Sequence, residues 1–190
     1  MKTEDQVLQE LRADGYTVVG AAVTWDTHFN LKRVKKGMDE RFSLTSYHKA
    51  HLKAGFVQVM FPPQITQIPP DLPVHTNLVR ILKVEETENT IFVLSTFPRP
   101  GRTTLAEELI KWREQTEEFG ILNRPRLITF LRKIFKSVAA GLVALHKASY
   151  SHRNLENTNI LVRSRNNAMV SGYSLRRNDL QEVEMENSDF

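Results

Sequence analysis

The sequence predicts an α+β protein in which a strand-rich first half precedes a helical second half. Three observations carry this. β-branched and aromatic residues gather between Tyr16 and Phe97, and a Pro/Gly punctuation follows at residues 98–102. After it the apolar spacing becomes helical, and one long stripe runs from Leu127 to Leu145. The chain has 190 residues, 41% hydrophobic and 25% charged, which suffices to bury a core and is too apolar for a disordered polypeptide.

The elements follow in order. Residues 4–13 have Val7, Leu8 and Leu11 on one face of an amphipathic helix, broken by Asp14-Gly15. Tyr16 to Val34 reads as two strands around Asp26-Thr27, whereas 37–55 fits no single period. Phe56 to Phe61 (FVQVMF) alternates as a strand. Five prolines in the twelve residues 62–73 then demand an extended connection, because proline costs about 3 kcal/mol inside a helix. Residues 77–97 form two strand-like runs joined by Glu86 to Thr90, a hairpin pattern. Leu105, Leu109 and Trp112 mark a first helix, and Pro125 opens a second. In the second, Leu127, Leu131, Ile134, Val138, Leu142 and Leu145 share a stripe that Phe130 and Phe135 are expected to widen, giving a largely buried helix.

Composition excludes several classes of function. There is no cysteine, so disulfides, thiolate catalysis and cysteine-ligated zinc are ruled out. His48 and His51 lie three apart, but no acidic pattern completes a metal site. The net charge of +4 is spread without a basic stripe, so nucleic acid is not the expected partner. Met1 to Gln6 contains three charges and no apolar stretch, so no secretory leader is expected. The longest apolar run, Val138 to Leu145, is far short of the ~20 residues that span a bilayer. An intracellular, cytoplasmic protein without a membrane segment is expected.

Residues 141–162, GLVALHKASYSHRNLENTNILV, resemble the end of helix E and the catalytic loop of eukaryotic protein kinases, where H-R-D-L-K-x-x-N-I-L follows G-L-x-x-L-H. His152, Arg153, Leu155, Asn159, Ile160 and Leu161 match, and the resemblance implies that helix E and the loop leucines Leu155 and Leu161 form a buried frame. Thirteen residues past Asn159, Gly172-Tyr173-Ser174 stands where kinases carry D-F-G. Upstream, residues 75–84 are similar to the opening of the family's fourth strand, and TIFVLSTF to its fifth, which makes Ser95 the gatekeeper and Thr96-Phe97 the start of the hinge. The resemblance implies a two-lobe fold. Residues 1–97 form an N-lobe with an antiparallel sheet, with the proline-rich 62–73 where helix C would lie. Residues 98–190 form a partial C-lobe with helices D and E, incomplete because no A-P-E and no later helices follow Leu175. A fragment, or a helix E that needs a partner to cover it, is the expectation drawn from that ending.

The departures from the family imply lost chemistry. The catalytic-loop aspartate is Asn154, which cannot act as a base; the following lysine is Glu156; the metal-holding aspartate of D-F-G is Gly172. Asn159, Ser95, Phe97 and Leu161 remain as weak candidates to touch a nucleotide. No glycine-rich loop is present, and the third-strand lysine is either replaced by Met60 or supplied by Lys32. No cofactor and no metal are expected, with ATP bound without magnesium as the exception. The resemblance thus implies a pseudokinase: an interaction, allosteric or scaffold module of intracellular signalling that binds other proteins, an active kinase among the candidates. The alternatives are a degenerate but active serine/threonine-type kinase and an ATP-binding-only domain. On the same reading His152 is a core histidine and Tyr173 fills a hydrophobic spine. Arg153 either docks a phosphate or forms a salt bridge. Residues 99–104 form a polar turn or a phosphorylation site.

Overall fold

The computed structural model describes residues 2–18, 28–35, 38–50, 60–61, 67–96, 103–119 and 124–178. They fall into two units. The first comprises Met1–Gln58, Pro62–Pro69 and Val79–Arg102, and the second comprises Val59–Phe61, Pro70–Leu78 and Thr103–Phe190.

The first unit starts with helix α1 (Glu4–Ala13). Thr3 caps it reciprocally: its hydroxyl accepts the Gln6 N–H at 3.2 Å, and the Gln6 side chain accepts the Thr3 N–H at 2.9 Å. Gly15, at φ 85°, supplies the left-handed residue that turns the chain out of the helix. Five strands follow: β1 (Thr17–Val18), β2 (His28–Lys35), β3 (Met38–His48), β4 (Ile81–Glu86) and β5 (Thr90–Thr96). They form one antiparallel sheet in the order β1-β2-β3-β5-β4. Val7 and Leu11 of α1 pack with Tyr16 on Phe42 and Leu44 of β3 and on Phe92 and Leu94 of β5. The Tyr16 and Phe42 rings meet edge to face at 5.0 Å. Each fully buried side chain of this kind contributes about 1.5–3 kcal/mol, so the helix is held by its one apolar face.

The β4–β5 hairpin closes through Thr87. Its N–H and hydroxyl both donate to the Thr90 carbonyl, at 2.8 and 3.0 Å, and its hydroxyl oxygen accepts the Thr90 N–H at 3.0 Å. The hairpin lies where the two strand-like runs predict it. The ambiguous stretch 37–55 contains the longest strand, β3, with Phe42 and Leu44 facing α1 and Ser43 and Thr45 on the other face. Thr45 and Ser46 are buried although polar, which is why the alternation there is hard to read from sequence.

The strand expected over Phe56–Phe61 is corrected at its described end: Met60 is helical and buried, and it belongs to the second unit. Residues 56–59 lie outside the described residues. A short apolar run cannot be told from a buried helical segment by periodicity alone. Residues 67–73 contain neither helix nor strand, as their prolines require.

In the second unit β6 (Thr103–Thr104) leads into α2 (Leu105–Phe119). Thr104 and Glu107 cap that helix reciprocally, the Thr104 hydroxyl accepting the Glu107 N–H at 3.2 Å and the Glu107 carboxylate accepting the Thr104 N–H at 2.8 Å. Helix α3 (Arg124–Lys147) follows, then a 3-10 turn (Asn157–Asn159), β7 (Ile160–Ser164) and β8 (Asn167–Val170), with sheet order β6-β7-β8. Phe130, Ile134, Val138, Gly141 and Leu145 form the buried stripe of α3. Phe135 does not widen it. Phe135 is 52% exposed, because one residue past Ile134 the helix has turned about 100° away from the core, whereas Phe130 sits one turn below. The segment Pro70–Leu78 is anchored to this unit. The Asn77 carbonyl accepts the Val170 N–H at 2.8 Å, and its amide donates to Asn167 and to the Ala168 carbonyl, each at 2.7 Å. Among the described residues no helix is long and apolar enough to cross a membrane.

Candidate functional site

The chain leaves α3 through a turn at Ala148-Ser149, runs through Ser151 to Glu156, and re-enters regular structure by the 3-10 turn into β7. His152 anchors this loop. It is buried, its Nε2–H donates to the Ser171 carbonyl at 2.9 Å, and its Nδ1 accepts the Asn154 N–H at 3.2 Å. A carbonyl can only accept and a backbone amide can only donate, so the ring is a neutral imidazole. Burial pushes its pKa below the ordinary 6.5, with the Ser171 hydrogen bond opposing. Both ring nitrogens are committed to backbone groups, which makes His152 the structural histidine the sequence predicts.

Asn159 is likewise committed. Its side-chain amide donates to the Asn154 carbonyl at 2.9 Å, and its own carbonyl accepts the Ser171 N–H at 2.9 Å and the Ser171 hydroxyl at 3.2 Å. Gly172 sits against it. The glycine has φ +66°, and a β-carbon placed there would lie 2.8 Å from Asn159 Oδ1 and 3.0 Å from its Cγ. The side chain of Asn159 therefore occupies the space that any residue larger than glycine would need.

The segment after Gly172 is buried. Tyr173 meets His152 edge to face, with ring centroids 6.3 Å apart. Ser174 donates its N–H to the His152 carbonyl at 3.1 Å and its hydroxyl to the Met60 carbonyl at 2.8 Å, and the Leu175 N–H donates to the same carbonyl at 2.8 Å. Met60 is thus an anchor for the Tyr173–Leu175 segment, a role the strand reading of FVQVMF hid. Arg153 has a left-handed backbone (φ 62°) and donates to the Asn178 side chain at 2.9 Å.

The structure brings His152, Asn154, Asn159 and Gly172 together and places other candidates elsewhere. Glu156 is exposed, and so is Leu155 at 45%; the expectation that Leu155 belongs to a buried frame is corrected. Leu161 is half-buried on β7 opposite Met169. Ser95 belongs to the first unit, buried on β5 opposite Ser43 of β3, with its hydroxyl 3.5 Å from the Ser43 carbonyl. Phe97 lies outside the described residues. Lys32 lies on β2, paired with Arg41 and Thr17, and the third strand in chain order, Met38–His48, contains no lysine. The next residue, Lys49, donates to Glu86 at 2.6 Å and to the Thr87 carbonyl at 2.8 Å. Among the described residues no group of three or more histidine or carboxylate side chains is placed to hold a metal ion.

A family model for protein tyrosine and serine/threonine kinases matches residues 69–189 of the 190-residue chain. A search of the curated proteins found no match. The antiparallel sheet unit, the helical unit and the loop between α3 and β7 define a protein-kinase-like α+β fold. The chain belongs to the protein tyrosine and serine/threonine kinase family.

Proposed function

We propose that this domain is a pseudokinase: it does not transfer phosphate, and it serves as an interaction, allosteric or scaffold module for other proteins, with an active kinase as a candidate partner. Phosphoryl transfer in this family is positioning and charge neutralisation. A catalytic-loop aspartate orients the hydroxyl, the aspartate of D-F-G and a loop asparagine hold magnesium, and a third-strand lysine meets the phosphates. By the motif these positions are Asn154, Gly172 and Asn159, and the third strand Met38–His48 brings no lysine.

The observation that carries the reading is the pair Gly172–Asn159. Magnesium prefers anionic oxygen ligands. Here one carboxylate position is glycine, and the asparagine beside it packs over that glycine while its amide bonds the Asn154 carbonyl. Asn154 is an amide with no basic lone pair at neutral pH. Glu156 puts a negative charge where many serine/threonine kinases place a lysine near the phosphate.

Melting of the purified chain with ATP tests the nucleotide side of this reading, once with magnesium and once with EDTA. A ligand at about 100 times its Kd stabilises by about 2.7 kcal/mol, a visible shift in Tm. The expected result is no shift that depends on magnesium. A shift present equally in EDTA makes ATP a structural ligand of an inactive domain, and a shift that requires magnesium overturns the proposal.

A further inference from the structure

Away from the loop, the second unit has a cavity of about 560 Å³ where α2, the start of α3 and the β7–β8 turn meet. That volume suits one or two side chains of an incoming segment. Its floor is apolar: Trp112 and Phe130 lie with ring centroids 5.8 Å apart and planes tilted by 30°, with Pro125 beside them. Its rim is cationic. Among the described residues, Lys111, Arg126, Lys133 and Arg165 line it against a single carboxylate, Glu108.

That carboxylate is already engaged, accepting from the Thr103 hydroxyl at 2.5 Å and from Lys111 at 3.0 Å. Arg126 and Arg165 are exposed and form no ion pair among the described residues. The first turn of α3 has no acidic residue to offset its dipole and carries Arg124 and Arg126 instead, so the positive end of the helix adds to the same field. Like charges gathered around an apolar floor cost self-repulsion, which an anionic occupant relieves.

We propose that this cavity docks an acidic peptide segment of a partner protein. One apolar side chain rests on Trp112 and Phe130, and the flanking carboxylates meet Arg126, Arg165 and Lys133. Single-stranded nucleic acid is the poorer match. It stacks successive bases on successive exposed rings, whereas among the described residues lining this cavity Phe130 is buried and only Trp112 offers part of a face. This inference goes beyond the reading of the loop and holds whether or not the domain transfers phosphate.

The test titrates the whole chain, by calorimetry, with peptides of the form Glu-Glu-X-Glu-Glu, X being Phe, Trp, Tyr, Leu, Ile or Met. A lysine-flanked set and a single-stranded oligonucleotide run alongside. At least one acidic peptide should bind, the lysine set should not, and binding should weaken as salt rises toward about 0.5 M. The double variant Arg126→Glu, Arg165→Glu should bind at least about tenfold more weakly, with Tm unchanged because both side chains are exposed. The milder pair Arg126→Gln, Arg165→Gln keeps the aliphatic stems and should weaken binding in the same direction. The proposal is overturned if no acidic peptide binds, if both peptide sets bind alike, if the oligonucleotide binds more tightly than every peptide, or if the variants bind as the wild type does.

Discussion

At Gly172 the backbone has φ +66°, and the nearest atom to a β-carbon there would be Asn159 Oδ1, at 2.8 Å. Restoring a carboxylate with Gly172→Asp should therefore cost stability without creating a magnesium site. The left-handed backbone costs about 1–2 kcal/mol, and displacing Asn159 breaks its bond to the Asn154 carbonyl for about 1 kcal/mol more. Urea denaturation should show a loss of about 2–3 kcal/mol, and magnesium should leave the variant's midpoint unmoved; a variant as stable as wild type would contradict this geometry. His152 sets a pH dependence at the same scale. Its pKa is depressed in the fold by burial, so below about pH 6.5 the unfolded chain takes up a proton that the folded chain resists. Its contribution is fully present above pH 6.5 and is lost as pH falls through the lower, folded pKa. The urea midpoint should drop between about pH 7.5 and pH 5, and His152→Gln should show a smaller drop; equal drops would assign the effect to other groups. At this scale His152 was legible because its spacing from His146 and Asn159 is a motif, whereas the packing of Asn159 over Gly172 depends on a dihedral angle that no residue type announces.

Helix α3 shows what an element adds. Its 4-3-4 spacing is readable from the residues, and Ile134, Val138 and Leu145 of that stripe are buried together with Phe130, whereas Leu127, Leu131 and Leu142 are only half-buried. What the spacing does not state is where the stripe ends, so Phe135, Ile128 and Val143 face solvent. Gly141 belongs to the buried stripe for a tertiary reason. A β-carbon there would lie 2.9 Å from the Asn77 carbonyl oxygen and 3.2 Å from the Leu78 side chain, and that carbonyl is committed to the Val170 N–H. Alanine is favoured over glycine in a helix interior by about 1 kcal/mol, but overpacking against a fixed backbone costs about 1–3 kcal/mol. Gly141→Ala should thus be net destabilising in chemical denaturation, and a stabilised variant would show that Asn77 can retreat. The sheet tells a similar story. The β4–β5 hairpin was readable because two apolar runs flank a polar turn. β3 was not, because polar Ser46 follows Phe42 and Leu44 on the apolar face and polar Thr45 is buried on the other, and only pairing with β2 and β5 identifies it. FVQVMF misled for the opposite reason: its alternation is strand-like, yet Met60 is helical and ties down Ser174 and Leu175.

For the whole molecule, membership of the kinase family comes from a match over residues 69–189, while the proposed loss of function rests on a handful of positions within and beside that span. The two kinds of information have different physical origins. The scaffold depends on buried apolar spacing, which tolerates substitution as long as volume and pattern persist. The chemistry depends on charges at defined points, and one neutral replacement abolishes each. A chain can therefore keep the helical frame, the loop geometry and the structural histidine while losing the base and a metal ligand. The direct measurement is transfer of the γ-phosphate from ATP by the purified chain, to itself and to a general protein substrate, with magnesium and then manganese. The predicted result is incorporation no greater than in a heat-denatured sample. Metal-dependent incorporation that Asn159→Ala abolishes would contradict the pseudokinase reading and place a working magnesium site beside Gly172.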